Sequence, residues 1–145
     1  SLILQRLKEL ENEKYVIIEG ESRRIGDVLI PEQLWTAMKK GVNVKIESKL
    51  ENRARLCVDE YFTSKERVEE IKNVTKSLMK VISNKKKEEV LMAIEKKDYL
   101  KAASILLEFY YDPLYSHTLK QVDFSHSIDS DNLEKAREEL GRIIE

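Results

Sequence analysis

At 145 residues the chain has the length of one domain, enough to bury a core without disulfide or metal staples. Charged residues make up 37% and apolar ones 41%, which excludes an unstructured polyelectrolyte and suits a helix-rich globular chain. A net charge of −1 provides no global field toward nucleic acid, so any RNA contact has to come from local patches such as Arg23–Arg24, Lys39–Lys40 or Lys85–Lys87.

Leu2, Leu4, Leu7 and Leu10 recur at helical spacing and lead into a short apolar run, Tyr15 to Glu19, that reads as a buried strand. Pro31 suits the first turn of a helix to about Lys40, with Gly41 as its stop. Val42 to Ile46 alternates as a second strand. Strand, helix and strand in this order predict a right-handed parallel βαβ unit within residues 1–48.

A helical part over 49–120 follows. It starts at Leu50, and Thr63 with Glu66 forms a capping-box signature ahead of the apolar face Ile71, Val74, Leu78 and Val81. Asn84 and Asp98 are the predicted caps of two further helices, the first carrying Val90, Leu91 and Ile94, the second Ala102, Ile105 and Leu106. Asp112-Pro113 predicts a rigid break between helices, because the residue before proline is held out of the helical region. Within 121–145, Val122 to Ile128 is a candidate third strand, and Asp131 with Glu134 opens a final helix. The expected architecture is one α/β domain with a parallel sheet, a large helical insertion and a C-terminal helix.

Cys57 is the only cysteine, so no intrachain disulfide can form, and a reducing, cytoplasmic setting is expected. With no histidine nearby in sequence to lower its pKa, it reads as a structural thiol rather than a nucleophile. His117 and His126 lack neighbouring ligands and make no zinc motif. No apolar run approaches the ~20 residues of a membrane span, no signal-peptide pattern opens the chain, and there is no internal repeat.

The wording of three segments is informative. Glu19-Gly-Glu-Ser-Arg-Arg-Ile-Gly26, followed by apolar residues and Pro31-Glu-Gln-Leu-Trp35, resembles the P-loop half of tRNA 2-selenouridine synthase. Glu51-Asn-Arg-Ala-Arg-Leu-Cys-Val-Asp-Glu-Tyr61 is similar to that family's arginine-bearing helix. Tyr110-Tyr-Asp-Pro-Leu-Tyr115 is similar to its Tyr-Tyr-Asp-Pro-x-Tyr segment. The three lie in the family's order across about residues 15 to 120. The sequence has no Gly-x-x-x-x-Gly-Lys-Ser/Thr phosphate loop and nothing similar to the family's rhodanese-like domain. It starts at Ser1 within a helical pattern, and so reads as the C-terminal piece of a P-loop NTPase-like domain, inactive alone.

The resemblance implies conversion of wobble 2-thiouridine in tRNA to 2-selenouridine. It proceeds through an S-geranyl intermediate, with geranyl diphosphate and selenophosphate as small substrates. Glu19 and Glu21 are then the candidate catalytic acids, since strand-end carboxylates beside a P-loop help hold magnesium or orient its waters. Alternate residues of a strand point the same way, so both could face one site. Ser22, Arg23 and Arg24 follow directly, and guanidinium forks suit diphosphate or tRNA phosphate; the plainer alternative is surface solubility. Arg53 and Arg55 stand about 200° apart on a helix, so only one can face a shared ligand. Tyr111, Asp112 and Tyr115 are candidates to border a pocket for an unpaired base or an apolar chain, with Phe109 and Tyr110 in the core.

The partners implied are tRNA, the two small substrates, the P-loop and rhodanese-like segment, and a second copy of the chain. Two other readings stay open: a non-catalytic domain that binds tRNA or a partner subunit, and a fragment of a nucleotide kinase-like protein.

Overall fold

The computed structural model describes residues 2–20, 22–25 and 27–145. Helix α1 (Leu2–Glu9) leads to a hairpin of two short strands, β1 (Arg24–Ile25) and β2 (Val28–Leu29). Then come α2 (Glu32–Lys40) and β3 (Val44–Glu47), and five helices: α3 (Leu50–Tyr61), α4 (Lys65–Ser77), α5 (Asn84–Glu95), α6 (Tyr99–Leu106) and α7 (Asp112–Leu119). A π-turn, Leu107–Tyr111, joins α6 to α7. Strand β4 (His126–Asp129) and helix α8 (Leu133–Ile144) complete the order.

The predicted parallel pairing exists, between different strands from those expected. β3 pairs with β4 in parallel, Val44 opposite His126 and Glu47 opposite Asp129, so the crossover is the entire helical stretch α3–α7. The weak strand signal before Ile128 therefore marks a real strand, whose Ile128 is only 1% exposed. The expected strand at Tyr15 to Glu19 does not form, and the βαβ unit with it: every residue from 11 to 20 is exposed and none joins a ladder. A strand that is apolar on both faces is held by neighbours and by covering layers. Here α1 buries no residue, and the strand pairing of β3 goes to β4.

Local chemistry adjusted several helix ends. α2 begins after Pro31 and ends at Gly41, whose N–H donates to Ala37 O and Met38 O. Gly41 is extended (φ −71°, ψ −178°), so this stop makes no use of the left-handed region. Asp98 caps α6 as expected, accepting from Lys101 N. The other predicted caps are displaced by one residue: Ser64 rather than Thr63 caps α4, Ser83 rather than Asn84 caps α5, and Asn132 rather than Asp131 caps α8. In each case two adjacent polar residues compete for the place, and the one with extended backbone reaches the free N–H.

Asp112-Pro113 does not break the helix. Asp112 is helical (φ −58°, ψ −45°) and its N–H donates to Leu107 O, five residues back. A proline inside an α-helix clashes with the carbonyl four residues earlier, and a π-turn shifts the register by one residue just where Pro113 enters.

The core lies in the helical part. Val90, Ala93 and Ile94 of α5 pack with Ala102 and Ile105 of α6, flanked by Phe62, Val68, Ile71, Tyr99, Leu106 and Phe109. Phe62 and Tyr99 stack with ring centroids 5.0 Å apart. Full burial of one Val or Ile is worth roughly 1.5–3 kcal/mol, so this cluster outweighs the two-strand sheet in holding the chain together. It also fixes the end of α6, and with it the π-turn that presents the tyrosines.

Candidate functional site

The structure brings four of the predicted residues to one place. Arg53 projects from the middle of α3, and its guanidinium meets Asp112 end-on: Nη1 donates to Oδ1 at 2.7 Å and Nη2 to Oδ2 at 2.9 Å. This paired fork is the strongest ion-pair geometry available to these side chains. It joins segments 59 residues apart, the second and third of the segments singled out in the sequence. Asp112 beside it holds the Arg53 guanidinium even more firmly protonated. Arg53 Nε is buried with no hydrogen-bond acceptor among the described residues, so the carboxylate alone orients the group.

Around this fork lies a ring of phenols. Arg53, Cys57 and Tyr61 recur every fourth residue and share one face of α3. Tyr111 stands edge-on to Tyr110, with centroids 5.2 Å apart. Burial pushes the Tyr111 hydroxyl pKa up, and the neighbouring Tyr110, Tyr115, Cys57 and Tyr61 add to the shift. Tyr61 is raised chiefly by the Glu60 carboxylate. Burial and Glu60 raise Cys57, with Arg53 opposing them. The raised Tyr61 and Tyr111 phenols and the raised Cys57 thiol thus stay protonated at neutral pH, beside a guanidinium paired with its carboxylate. Tyr61 and Tyr111 remain 51% and 44% exposed.

The spacing of Cys57 and Tyr61 from Arg53 would have revealed their membership of this face. Arg55 points elsewhere and pairs with Glu51 on its own helix. Only one arginine of the pair is thus at the site, as the helical angle requires.

The other predicted site residues lie in and before the β1–β2 hairpin. Ser22 Oγ accepts from Arg24 N at 3.1 Å. Arg23 is tied into the hairpin: its Nε donates to Ile30 O at 3.2 Å, its Nη2 lies 2.7 Å from Glu32, and Ile30 N donates to Arg23 O at 2.9 Å. Arg24 is more exposed and lies 3.7 Å from Asp27. Glu19 is exposed, and Glu21 lies outside the described residues.

Among the described residues no group of three or more His, Cys, Asp or Glu could hold a metal ion. The lysine triplet is largely engaged with its own fold. Lys86 pairs with Glu89 at 2.8 Å and lies 4.4 Å from the Phe109 ring centroid, and Lys87 donates to Leu78 O at 3.0 Å.

A second clasp lies where β3 and β4 end. Asp131 Oδ1 accepts from Ser48 Oγ at 2.7 Å and from Lys49 N at 2.9 Å, at the start of α3. Asn52, Ser48 and the Lys49 amide hold this carboxyl far below the usual carboxylate range. Asp131 thus anchors the N-terminus of the helix that carries Arg53, while Asp112 grips its middle. No helix of the described residues is long and apolar enough to cross a membrane.

The profile of the tRNA 2-selenouridine synthase AAA domain matches residues 1–97, two of the three segments noted above among them. No curated protein and no solved structure matches the chain. A match over two-thirds of the chain decides the relationship: the chain belongs to the tRNA 2-selenouridine synthase AAA-domain family.

Proposed function

We propose that the chain is the tRNA-handling part of a 2-selenouridine synthase. It would act in a two-step exchange at wobble 2-thiouridine, with geranylation of the sulfur by geranyl diphosphate followed by replacement of the S-geranyl group with selenium from selenophosphate. The observation that carries this reading is the Arg53–Asp112 fork, which draws two segments of family-like wording into one polar, aromatic-rimmed site. The phosphate-bearing ends of the small substrates fall to Ser22, Arg23 and Arg24. The phosphate loop and the rhodanese-like cysteine fall to other segments, of the same enzyme or of a partner subunit. The sheet would be the second half of a P-loop-like fold. Its completion would pair the apolar run Tyr15–Ile18, now exposed, with the missing strands.

Titration of the chain, joined with the P-loop segment, separates this reading from a kinase fragment. Geranyl diphosphate should bind, and ATP should be neither hydrolysed nor used as a phosphoryl donor. ATP turnover without geranyl diphosphate binding would favour the kinase, and binding of tRNA alone would favour a non-catalytic docking domain.

A further inference from the structure

We infer that the connection between α4 and α5 is a contact tip for an anionic lipid surface, seating Met79 and Val81 at the acyl boundary while the surrounding lysines meet the headgroup phosphates. This contact goes beyond the proposed tRNA chemistry and does not depend on it.

The tip is held in a defined shape. Lys80 has φ 72°, a left-handed backbone that residues with a Cβ rarely adopt, and Val81 N–H donates to Met79 O at 3.0 Å across it. Such a three-residue γ-turn with positive φ is rare and strained. Both flanks are fixed: Leu78 O accepts from Lys87 Nζ at 3.0 Å, Ile82 is 6% exposed, and Ser83 caps α5. Yet the turn leaves Met79 72% and Val81 38% exposed, and Val74 near the end of α4 is exposed as well. A strained backbone that turns apolar side chains toward solvent points to a surface that covers them.

The charge around the tip has one sign. Between Glu70 and Glu88 stand six lysines and no acid, in a chain whose net charge is −1. Lys72 is paired with Glu69, Lys86 with Glu89, and Lys87 is taken by Leu78 O. Lys76, Lys80 and Lys85 are exposed. Lys76 and Lys80 form no ion pair among the described residues, and Lys85 only adds to the pull of Lys86 on Glu89. The same stretch holds no arginine and no aromatic ring, the side chains that fork onto RNA phosphates and stack on bases. A phosphate backbone would give Met79 and Val81 nothing to bury against. A protein partner would have to supply a cavity shaped to the tip, whereas a bilayer offers both chemistries at their two depths, phosphate outside and hydrocarbon beneath.

The test sediments the 145-residue chain with vesicles of phosphatidylcholine alone and of phosphatidylcholine with roughly one-third phosphatidylserine. The chain should bind the second and not the first, and salt should weaken the binding. Lys76→Gln, Lys80→Gln and Lys85→Gln should each weaken it about fivefold. Met79→Ser with Val81→Ser should weaken it about five- to tenfold and leave the salt dependence unchanged. Trp emission from Met79→Trp should shift to the blue on the phosphatidylserine vesicles, with the parent's Trp35 emission unmoved. These side chains are exposed, so every variant should keep the parent's circular dichroism. Absence of binding to the anionic vesicles, or parent-like binding by the lysine variants, would overturn the contact. Loss with the lysines but neither loss with the serines nor a blue shift would overturn the seating of the tip. Tighter binding to an oligouridylate or to a polyglutamate peptide than to the vesicles, lost in the same lysine variants, would overturn it in favour of an RNA or a protein surface.

Discussion

At the scale of single residues, neighbouring arginines carry different burdens. Arg23 closes the β1–β2 hairpin through Ile30 O and pairs with Glu32, whereas Arg24 stands more exposed beside Asp27. Arg23→Ala should therefore cost stability, roughly 0.5–1.5 kcal/mol for the lost hydrogen bond, with the exposed ion pair adding little after screening. Arg24→Ala should leave the unfolding midpoint almost unchanged. If the pair holds phosphate, each alanine variant of the complete enzyme should also lose roughly 1.5–3 kcal/mol of binding, about ten- to a hundredfold, and lysine should restore only part. Denaturant titration alongside binding of geranyl diphosphate and tRNA separates the two effects. Parent-like affinity in both variants would make these arginines ordinary surface residues.

Among elements, α3 is the one on which the site depends, and Asp131 ties its N-terminus to the loop after β4. The sign of its pH effect follows from the lowered pKa: the folded state binds the proton less readily than the unfolded chain. Its contribution is therefore full above the unfolded value of about 4 and is lost as the pH falls below it. Asp131→Asn should lower stability at pH 7 and flatten the acid limb, which urea midpoints at pH 7 and pH 3 would report. An acid limb as steep as the parent's would mean that the clasp does not form.

The same elements show what the sequence could disclose. α3, α5 and α8 were legible because helical periodicity is local, and so was the Asp98 cap. The Tyr15–Ile18 run misled, because a strand exists only with a neighbour to pair with, and apolar content does not supply one. Pro113 misled because a π-turn absorbs it. Asp131 misled because a tertiary contact with α3 took the carboxylate away from its own helix. The Arg53–Asp112 pairing was not legible at all: both residues drew attention separately, and nothing local encodes a contact across 59 residues.

For the whole molecule, the core and the Arg53–Asp112 pair belong to the helical part, while the arginine pair sits in the sparsely packed N-terminal region, whose α1 buries nothing. The most direct measurement supplies 2-thiouridine tRNA, geranyl diphosphate and selenophosphate to the chain alone and to the chain joined with the P-loop and rhodanese-like segment, then analyses the nucleosides by mass spectrometry. No modified nucleoside is expected from the chain alone, and S-geranyl-2-thiouridine followed by 2-selenouridine from the complete set. Turnover by the chain alone, or no product from the complete set, would contradict the proposed function.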